Sequence, residues 1–159
     1  MADNESQNGG NGSGADARRF ALDKLYIKDL SFEVPGAPEV FANDQVDSQV
    51  SMNLKNSHRA VGDHAYEVVL HVSLHATVDE RTMFMLEIDQ AGIFLIDGYD
   101  EQELRQLISS HCPATLFPYA REAISSTIGR GGFPAILLQP INFDAVYAQA
   151  EAGGERLDA

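Results

Sequence analysis

The fold class is decided by residues 66–77, which read YEVVLHVSLHAT. Apolar side chains occupy every second position from Tyr66 to Ala76, and mostly polar side chains stand between them. Successive side chains of a strand point to opposite faces, so this alternation predicts a strand with one dry and one wet face. The next four residues, 78–81 (VDER), are short enough to predict a hairpin that leads into an antiparallel neighbour.

Three further strands are predicted around this one. The fourth strand runs over residues 83–89, and Gly92 separates it from an apolar continuation at 93–96. The first strand is predicted over 25–32, before a proline-rich stretch that stops it, and the second over 46–54. The chain therefore begins its folded part with a sheet.

Helical periodicity replaces the alternation after this sheet. Asp100 and Glu103 have the spacing of a capping box, and Pro113 is predicted to end the first helix. A second helix is predicted from about Phe117 or Pro118 to Ile128, and a third from Phe143 to about Glu151. Strands followed by helices predict an α+β fold: a four-stranded antiparallel sheet with helices packed on one face.

Glycine marks the predicted end of the second helix. Gly129 is suited to a left-handed stop. Residues 131–142, which read GGFPAILLQPIN, are expected to lack regular structure because prolines and glycines interrupt them.

Three regions are predicted along the chain. Residues 1–17 are rich in Asn, Gly and Ser and are expected to form a disordered arm, because they cannot bury enough surface to offset chain entropy. Residues 18–151 form one domain, and residues 152–159 are expected to be a flexible tail.

The composition excludes several functional classes. The formal net charge is −13, which would repel a phosphate backbone, so nucleic acid is not expected as a partner. Cys112 is the only cysteine, so an intrachain disulfide is impossible. No run approaches the ~18 apolar residues of a membrane span, and the first residues do not resemble a signal peptide. A cytoplasmic location without membrane insertion is therefore expected.

The residue patterns indicate no catalytic, metal or cofactor site. His71 and His75 are four residues apart, but on a strand this places them about 13 Å from each other, too far to share an ion. Cys112 beside His111 is more consistent with a small buried side chain than with a thiolate pair. No phosphate-binding loop is present, and no cofactor is expected.

Two features call for more than a structural explanation. The first is the apolar segment within 131–142, which is either a strap over the core or one wall of a groove for extended apolar peptides. Together with two residues of the third helix, it supplies the candidate groove residues, namely Phe133, Ile136, Leu137, Leu138, Ile141, Phe143 and Tyr147.

The second feature is acidic. Asp29 and Glu33 of the first strand, and Glu87 and Asp89 beside Met85 on the fourth, lie where strand faces can meet solvent. They form either an ordinary solvated face or a docking surface for a basic partner.

Several segments, in their order and spacing, resemble the SecB export chaperones. The most specific is the run LFPYARE at 116–122, and the likeness covers about Phe20 to Tyr147. The other segments are 26–33 (YIKDLSFE), 66–70 (YEVVL), 92–94 (GIF), 112–113 (CP), 132–134 (GFP) and 140–145 (PINFDA).

The resemblance implies a non-enzymatic chaperone that binds unfolded preproteins and delivers them to the SecA translocation ATPase. It also implies a homotetramer, a dimer of dimers. In this family the positions of Asp29, Glu33, Met85 and Glu87 resemble SecA-docking positions. Positions at the contact between dimers correspond to Leu86, Ile88 and Gln90. Leu86 replaces a smaller residue and Gly132 replaces a common threonine.

Two other functional classes stay open at this point. A small acyl-thioester hydrolase would need a buried, unpaired carboxylate, with Asp97, Asp100 and Glu103 as candidates. An oligomeric adaptor would use the acidic face to bind one folded partner and would have no affinity for unfolded chains.

Overall fold

The computed structural model describes residues 17–42 and 47–157. Within them lie four strands, β1 (Arg19–Glu33), β2 (Gln49–Gly62), β3 (Ala65–Val78) and β4 (Arg81–Asp97). All neighbouring strands are antiparallel, and their order in the sheet is β1-β4-β3-β2. This confirms the predicted sheet. Residues 1–16 of the predicted arm and the predicted start of the second strand at residue 46 lie outside the described residues.

The helical part follows the sheet. It consists of α1 (Glu101–Gln106), a π-helical turn (Leu107–His111), α2 (Cys112–Arg130) and α3 (Phe143–Leu157), and a short 3-10 turn (Glu39–Ala42) lies between β1 and β2. Among the helices that the structure describes, none is long and apolar enough to cross a membrane. The predicted third helix is confirmed, but it continues past Glu151 to Leu157.

The hairpin between β3 and β4 forms as predicted. Asp79 and Glu80 occupy its turn with φ angles of 47° and 64°. Two left-handed residues in succession match the twist of the flanking strands, which is typical of tight hairpins. The turn thereby sets the register of β3 and β4, and Val78 lies opposite Arg81 directly beside it.

Gly92 does not interrupt the fourth strand, as the sequence pattern suggested. β4 runs unbroken through it, from Arg81 to Asp97. A Cβ atom at this position would meet Leu22 at 3.0 Å and Leu116 at 3.1 Å. The absence of a side chain at Gly92 therefore leaves room for Leu22 of β1 and Leu116 of α2.

Pro113 does not end the first helix, and this prediction was wrong. The chain stays helical from α1 through the π-helical turn into α2, and Pro113 lies in the first turn of α2. A proline is tolerated there because the π-helical turn already changes the hydrogen-bond pattern: the N–H of Cys112 donates to the carbonyl of Leu107. The second helix therefore begins at Cys112, before the predicted Phe117 or Pro118.

The end of α2 lies beyond the predicted Gly129. Gly132 has φ of +87°, the N–H of Phe133 donates to the carbonyl of Ile128 at 3.3 Å, and that of Gly132 donates to Gly129 at 3.2 Å. These two bonds define a Schellman motif, in which the left-handed residue is the first outside the helix. Residues 133–142 then form the predicted segment without regular structure.

The core lies between the helices and one face of the sheet. On that face, the alternate residues of β3 from Val68 to Ala76 are buried, and so are those of β4 from Phe84 to Ile88. The stripe of α2 that covers them consists of Leu116, Ala120, Ile124 and Ile128, all at 0% exposure. Cys112 is buried beside them, and burial raises its pKa to about 12, which confirms its interpretation as an inert core residue.

Candidate functional site

The sheet face turned away from the helices brings the predicted docking residues together. Glu33 lies directly opposite Met85, and Ser31 lies opposite Glu87. Residues opposite each other in an antiparallel pair point to the same face, as do residues two apart on one strand. Asp29, Glu33, Met85 and Glu87 therefore share this outer face. We call Asp29, Glu33, Glu87 and Asp89, with Met85 among them, the acidic half.

The acidic half places negative charge beside an exposed apolar side chain, since Glu33 lies opposite Met85 and Glu87 lies two residues from it. Asp29 is directly opposite Asp89, and such a like-charged pair is unfavourable without a counter-charge. His71 of β3 places its Nδ1 2.5 Å from Asp89 Oδ1 and so supplies a hydrogen-bond partner. Met85 keeps 37% of its surface exposed. Charged side chains next to an exposed apolar one are compatible with a protein-binding surface.

A shallow depression of about 460 Å³ extends the acidic half across the sheet. Glu33, Met85 and Glu87 line one side of it. The polar residues on its other side, from β3 and β2, are Ser51, Asn53, Ser73 and His75. Sequence reasoning missed these residues because a polar side chain on a wet strand face carries no signal until the strand order is known.

Glu67 forms the most heavily bonded polar group of the outer face, and sequence reasoning missed it as well. It is buried, with 6% exposure, and it accepts hydrogen bonds from the Tyr26 hydroxyl, from Lys28 Nζ at 2.9 Å and from Arg59 Nε at 3.1 Å. The hydrogen bonds from Tyr26 and Lys28, with a smaller contribution from Arg59, lower the pKa of Glu67 to about 2. Burial and the bond to Glu67 raise the pKa of Tyr26 to about 12.

The apolar segment after α2 packs mainly against the core. Phe133 lies 5.1 Å from Phe84 and 5.3 Å from Phe41, between ring centroids. Partly buried side chains of the segment also contact the core, namely Ile136, Leu138 and Ile141. These positions favour the core-strap alternative. Leu137 differs from them because it points outward with 71% of its surface exposed.

The two candidate groove residues of α3 have different surroundings. Phe143 is 4% exposed and packs edge-on against Phe117, with ring centroids 5.8 Å apart. The hydroxyl of half-buried Tyr147 donates to Glu151 at 2.8 Å, one helical turn away. Phe143 therefore anchors α3 to the core and does not form an open wall of the groove.

Phe41 is a surface aromatic that sequence reasoning missed. It is 45% exposed and contacts Phe133. It also lies against Gly132, where an added Cβ would come within 2.9 Å of the ring. An aromatic residue in a short turn gives no periodic signal, so its contact became visible only in three dimensions.

The three predicted interface residues lie inside one chain. Leu86 and Ile88 have 0% exposure and belong to the core under α2, and Gln90 is 3% exposed with its side-chain amide donating to the carbonyl of Tyr26. Their side chains already fill the space between sheet and helices. Their assignment to the contact between dimers stays a prediction.

Exposed apolar side chains lie instead at the edges of the helix-side face. On β1, Leu25, Ile27 and Leu30 are 38%, 48% and 41% exposed. They are opposite Gly92, Gln90 and Ile88, so they point to the side on which the helices lie. Val50 and Met52 do the same on β2. The helices thus cover the two central strands and leave both edges open.

The histidines form no metal centre. His71 contacts Asp89, and His75 Nε2 lies 2.8 Å from Thr82 Oγ1. Within residues 17–42 and 47–157, no three His, Cys, Asp or Glu side chains come together in a way that could hold a metal ion.

The carboxylates considered for a hydrolase, Asp97, Asp100 and Glu103, are exposed or take part in helix capping. Asp97 is exposed, with its Oδ1 3.4 Å from His64 Nδ1. Asp100 and Glu103 form the predicted capping box of α1, with the N–H of Glu103 donating to Asp100 Oδ1 at 2.8 Å. The buried carboxylate of Glu67 has a lowered pKa, which is the opposite of what a general acid requires. None of these groups favours the hydrolase hypothesis.

Comparison with known proteins agrees with this geometry. The family model described as preprotein translocase subunit SecB matches residues 13–153. The chain belongs to the SecB family. The protein-export protein SecB of Marinobacter nauticus is 45% identical over 160 residues, covering 97% of this chain and 92% of that relative. The SecB of Dechloromonas aromatica is 51% identical over 130 residues, covering 82% and 85%.

A solved structure shows the same SecB fold at low sequence identity. It is a SecB-like chaperone of Mycobacterium tuberculosis in complex with a peptide from an antitoxin. The TM-score is 0.65 at 18% identity, over 77% of this chain and 91% of that one. Family membership confirms the predicted resemblance and the predicted function of a preprotein export chaperone.

Proposed function

We propose that this SecB chain holds unfolded preproteins in a translocation-competent state and delivers them to the SecA ATPase in the cytoplasm. The observation that supports the proposal is the exposed apolar surface of Leu137 and Phe41 on the helix-side face. Each exposed side chain there stabilises a bound client by burying apolar area, at about 25 cal/mol per Å². No step of such binding requires a catalytic residue, a metal or a cofactor.

The client groove is proposed to lie around the segment that follows α2. Leu137 and Phe41 offer exposed apolar surface, and Phe133 joins them at its inner end. The half-buried residues Ile136, Leu138 and Ile141 would form the floor, and Phe143 and Tyr147 would hold α3 beside it. Several weak contacts along one chain give high avidity while tolerating varied client sequences.

The acidic half of the outer face is proposed to dock SecA. Glu33 and Glu87 lie next to Met85, Asp29 and Asp89 extend the negative charge along the two strands, and this face is opposite to the helix-side face that carries the proposed groove. A basic segment of the motor would be steered to it by charge and held by contact with Met85. Delivery is then possible because motor and client do not compete for the same surface.

A homotetramer, as a dimer of dimers, is proposed from the family resemblance and from the exposed strip on β1. Leu25, Ile27 and Leu30 continue the core face beyond the cover of the chain's own helices. A second copy would bury this strip. The buried side chains of Leu86, Ile88 and Gln90 would support such a contact from beneath rather than form it.

Calorimetric titration with a reduced, unfolded preprotein and with its folded form tests the proposal. Binding of the unfolded form alone is the expected result. An adaptor would bind one folded partner and ignore unfolded chains, so the opposite selectivity would overturn the proposal. Hydrolysis of an acyl-thioester probe without client binding would favour the enzyme hypothesis.

A further inference from the structure

Two histidines of β3 lie on the outer face beside the acidic half. His71 is directly opposite Asp89, and His75 is directly opposite Met85. Glu87 lies between these two partners on β4, so each imidazole is its diagonal neighbour across the strand pair. Diagonal neighbours in an antiparallel pair are about 7–8 Å apart. The two rings therefore flank the central carboxylate of the proposed docking surface.

Both histidines can exchange protons with solvent. The side chain of His71 is 32% exposed, and His75 is exposed as well. Histidine is the side chain that ordinarily changes its charge between about pH 5 and 8, whereas ordinary carboxylates stay ionised in that range. Near neutral pH, the two rings are therefore the groups that vary the charge of this surface.

The hydrogen bonds of both rings are compatible with either charge state. His71 Nδ1 lies 2.5 Å from Asp89 Oδ1, and this nitrogen can donate both in a neutral tautomer and in the charged ring. His75 Nε2 lies 2.8 Å from Thr82 Oγ1, and a hydroxyl group can donate or accept. Protonation thus changes the charge of the surface without breaking either contact.

The charges around the two rings are mostly negative. Lys55 of β2 is opposite His71 and has no ion-pair partner in the part of the chain that the structure describes. Lys28 lies in the bulge of β1 beside Asp29, but its ammonium group is paired with Glu67. The carboxylates that face the rings from β1 and β4 are Asp29, Glu33, Glu87 and Asp89. A proton on either ring therefore offsets part of a negative surface.

A proton on these rings and a basic segment of a partner are attracted by the same carboxylates. Charges about 7–8 Å apart lie within the screening length of about 10 Å at 0.1 M salt, so a charged ring weakens the attraction of Glu87 for a basic partner. Such coupling is reciprocal: if a proton weakens docking, docking must release the proton. The pH dependence of the affinity and the release of protons therefore measure the same coupling.

We propose that His71 and His75 make docking at the acidic half depend on pH, so that protonation of the two rings weakens the binding of a basic segment of SecA. The inference rests on the proposed docking of SecA at this surface and adds its regulation. A purely structural role, in which His71 relieves the repulsion between Asp29 and Asp89, predicts that the two rings release no protons when SecA binds.

The test measures the affinity of SecA by calorimetry at low salt, at about pH 6 and about pH 8, for four forms of the full-length protein. These are the wild type, His71→Gln with His75→Gln, Glu87→Lys, and the control His58→Gln. His58 is an exposed residue of β2 opposite Val68, whose side chain lies in the core, so His58 points to the helix-side face. Thermal melting at both pH values verifies the fold of each form.

The wild type is expected to bind SecA about three- to tenfold more weakly at the lower pH, because each charged ring offsets one negative charge beside Met85. The His71/His75 variant should lose most of this difference, since glutamine does not titrate, and the control should follow the wild type. Titration near pH 7 in buffers of different ionisation enthalpy gives the number of protons released, which should be larger for the wild type than for the variant. Titrating groups of SecA contribute equally to all forms, so the difference between forms belongs to the two rings.

The outcomes separate this inference from the docking proposal beneath it. Equal wild-type affinity at both pH values, or equal pH dependence in the wild type and the His71/His75 variant, would overturn the inference and leave docking intact if Glu87→Lys binds weakly. Normal binding by Glu87→Lys would overturn docking at the acidic half and the inference with it. Loss of the pH dependence in His58→Gln as well would show that the position of the histidines is irrelevant, which would also overturn the inference.

Discussion

The side-chain amide of Asn56 donates a hydrogen bond to the backbone carbonyl of Ser109, across 3.1 Å. In a regular helix that carbonyl would accept from the N–H four residues later, but the residue there is Pro113, which has none. An edge strand thus supplies the donor that the helix lacks. The pairing ties β2 to the π-helical turn between α1 and α2.

Asn56→Ala is expected to lower the free energy of unfolding by about 1 kcal/mol, because the carbonyl of Ser109 loses its partner. Chemical denaturation measures this change. In a Pro113→Ala background the helix regains an N–H, so the same substitution should cost much less. An equal cost in both backgrounds would show that Asn56 contributes in some other way.

Leu137 and Leu138 are neighbours in one segment but differ in burial, which allows a matched comparison. Leu137→Ala is expected to weaken client binding roughly three- to tenfold, because an exposed side chain loses its contact area with the client. Its melting temperature should stay close to that of the wild type. Client titration and thermal unfolding of the same preparation give both quantities.

Leu138→Ala should show the opposite pattern. Leu138 packs against the core, so its truncation is expected to lower stability by about 1–3 kcal/mol with a smaller effect on client affinity. If Leu137→Ala destabilised the fold and left client binding intact, the whole segment would be a core strap and the groove would lie elsewhere.

The exposed strip on β1 predicts where the proposed tetramer separates. Ile27→Lys places a charge on a half-exposed apolar position, so it should leave the subunit folded while lowering the assembled mass, because a charge buried at a contact costs several kcal/mol unless it is paired. Light scattering and circular dichroism measure the two properties. A tetramer of unchanged mass would place the interface on another surface.

Leu86→Arg provides the contrasting variant. Leu86 is fully buried inside one chain, so this substitution should unfold the subunit rather than release folded dimers. Folded dimers would show that Leu86 lies at the contact between dimers after all, as the family resemblance implied.

Glu67 should make the stability of the fold depend on pH in the acid range. Its pKa falls from the ordinary 4.5 to about 2 in the folded chain, so the ionised form is the stabilised one. Its contribution is fully present above pH 4.5 and is lost as the pH falls towards 2. Glu67→Gln should therefore be less stable than the wild type near neutral pH, by on the order of 1–3 kcal/mol, and this difference should shrink below pH 4.5. Urea denaturation at several pH values measures the difference, and a constant gap down to pH 2 would contradict it.

The sheet could be predicted from the sequence because side chains alternate between the two faces of a strand. This period of two assigns each residue of β3 and β4 to a face even when the neighbouring strands are unknown. The same parity placed Met85 and Glu87 opposite to Leu86. Helix boundaries were less predictable. Pro113 and Gly129 are helix breakers by propensity, yet the chain stays helical through both, because a π-helical turn precedes Pro113 and the left-handed residue that ends α2 is Gly132.

Site residues could be predicted together only where they lay on a single strand. Asp29 and Glu33 could be paired with Met85 and Glu87 by family likeness, but their contact depends on β1 lying beside β4, which no local pattern encodes. Glu67 escaped notice because its three donors come from two other strands. The contact of Phe41 was not predicted because its partner Phe133 lies far along the chain.

Motor docking is expected to be separable from client holding, because the two proposed surfaces lie on opposite faces of the sheet. Asp29 and Glu87 are exposed on the outer face, and neither belongs to the core or to the apolar segment after α2. The double variant Asp29→Ala with Glu87→Lys should weaken SecA association several-fold or more, since it removes one negative charge and reverses another beside Met85. Most of the effect should vanish at high salt if charge steering dominates, because screening shortens the reach of exposed charges to about 10 Å at 0.1 M salt.

Tetramer mass and client affinity should match those of the wild type, and calorimetry with SecA and with unfolded preprotein measures both interactions. Normal SecA binding by the double variant would remove the acidic half as the docking surface, and a parallel loss of client affinity would show that the two faces are not independent.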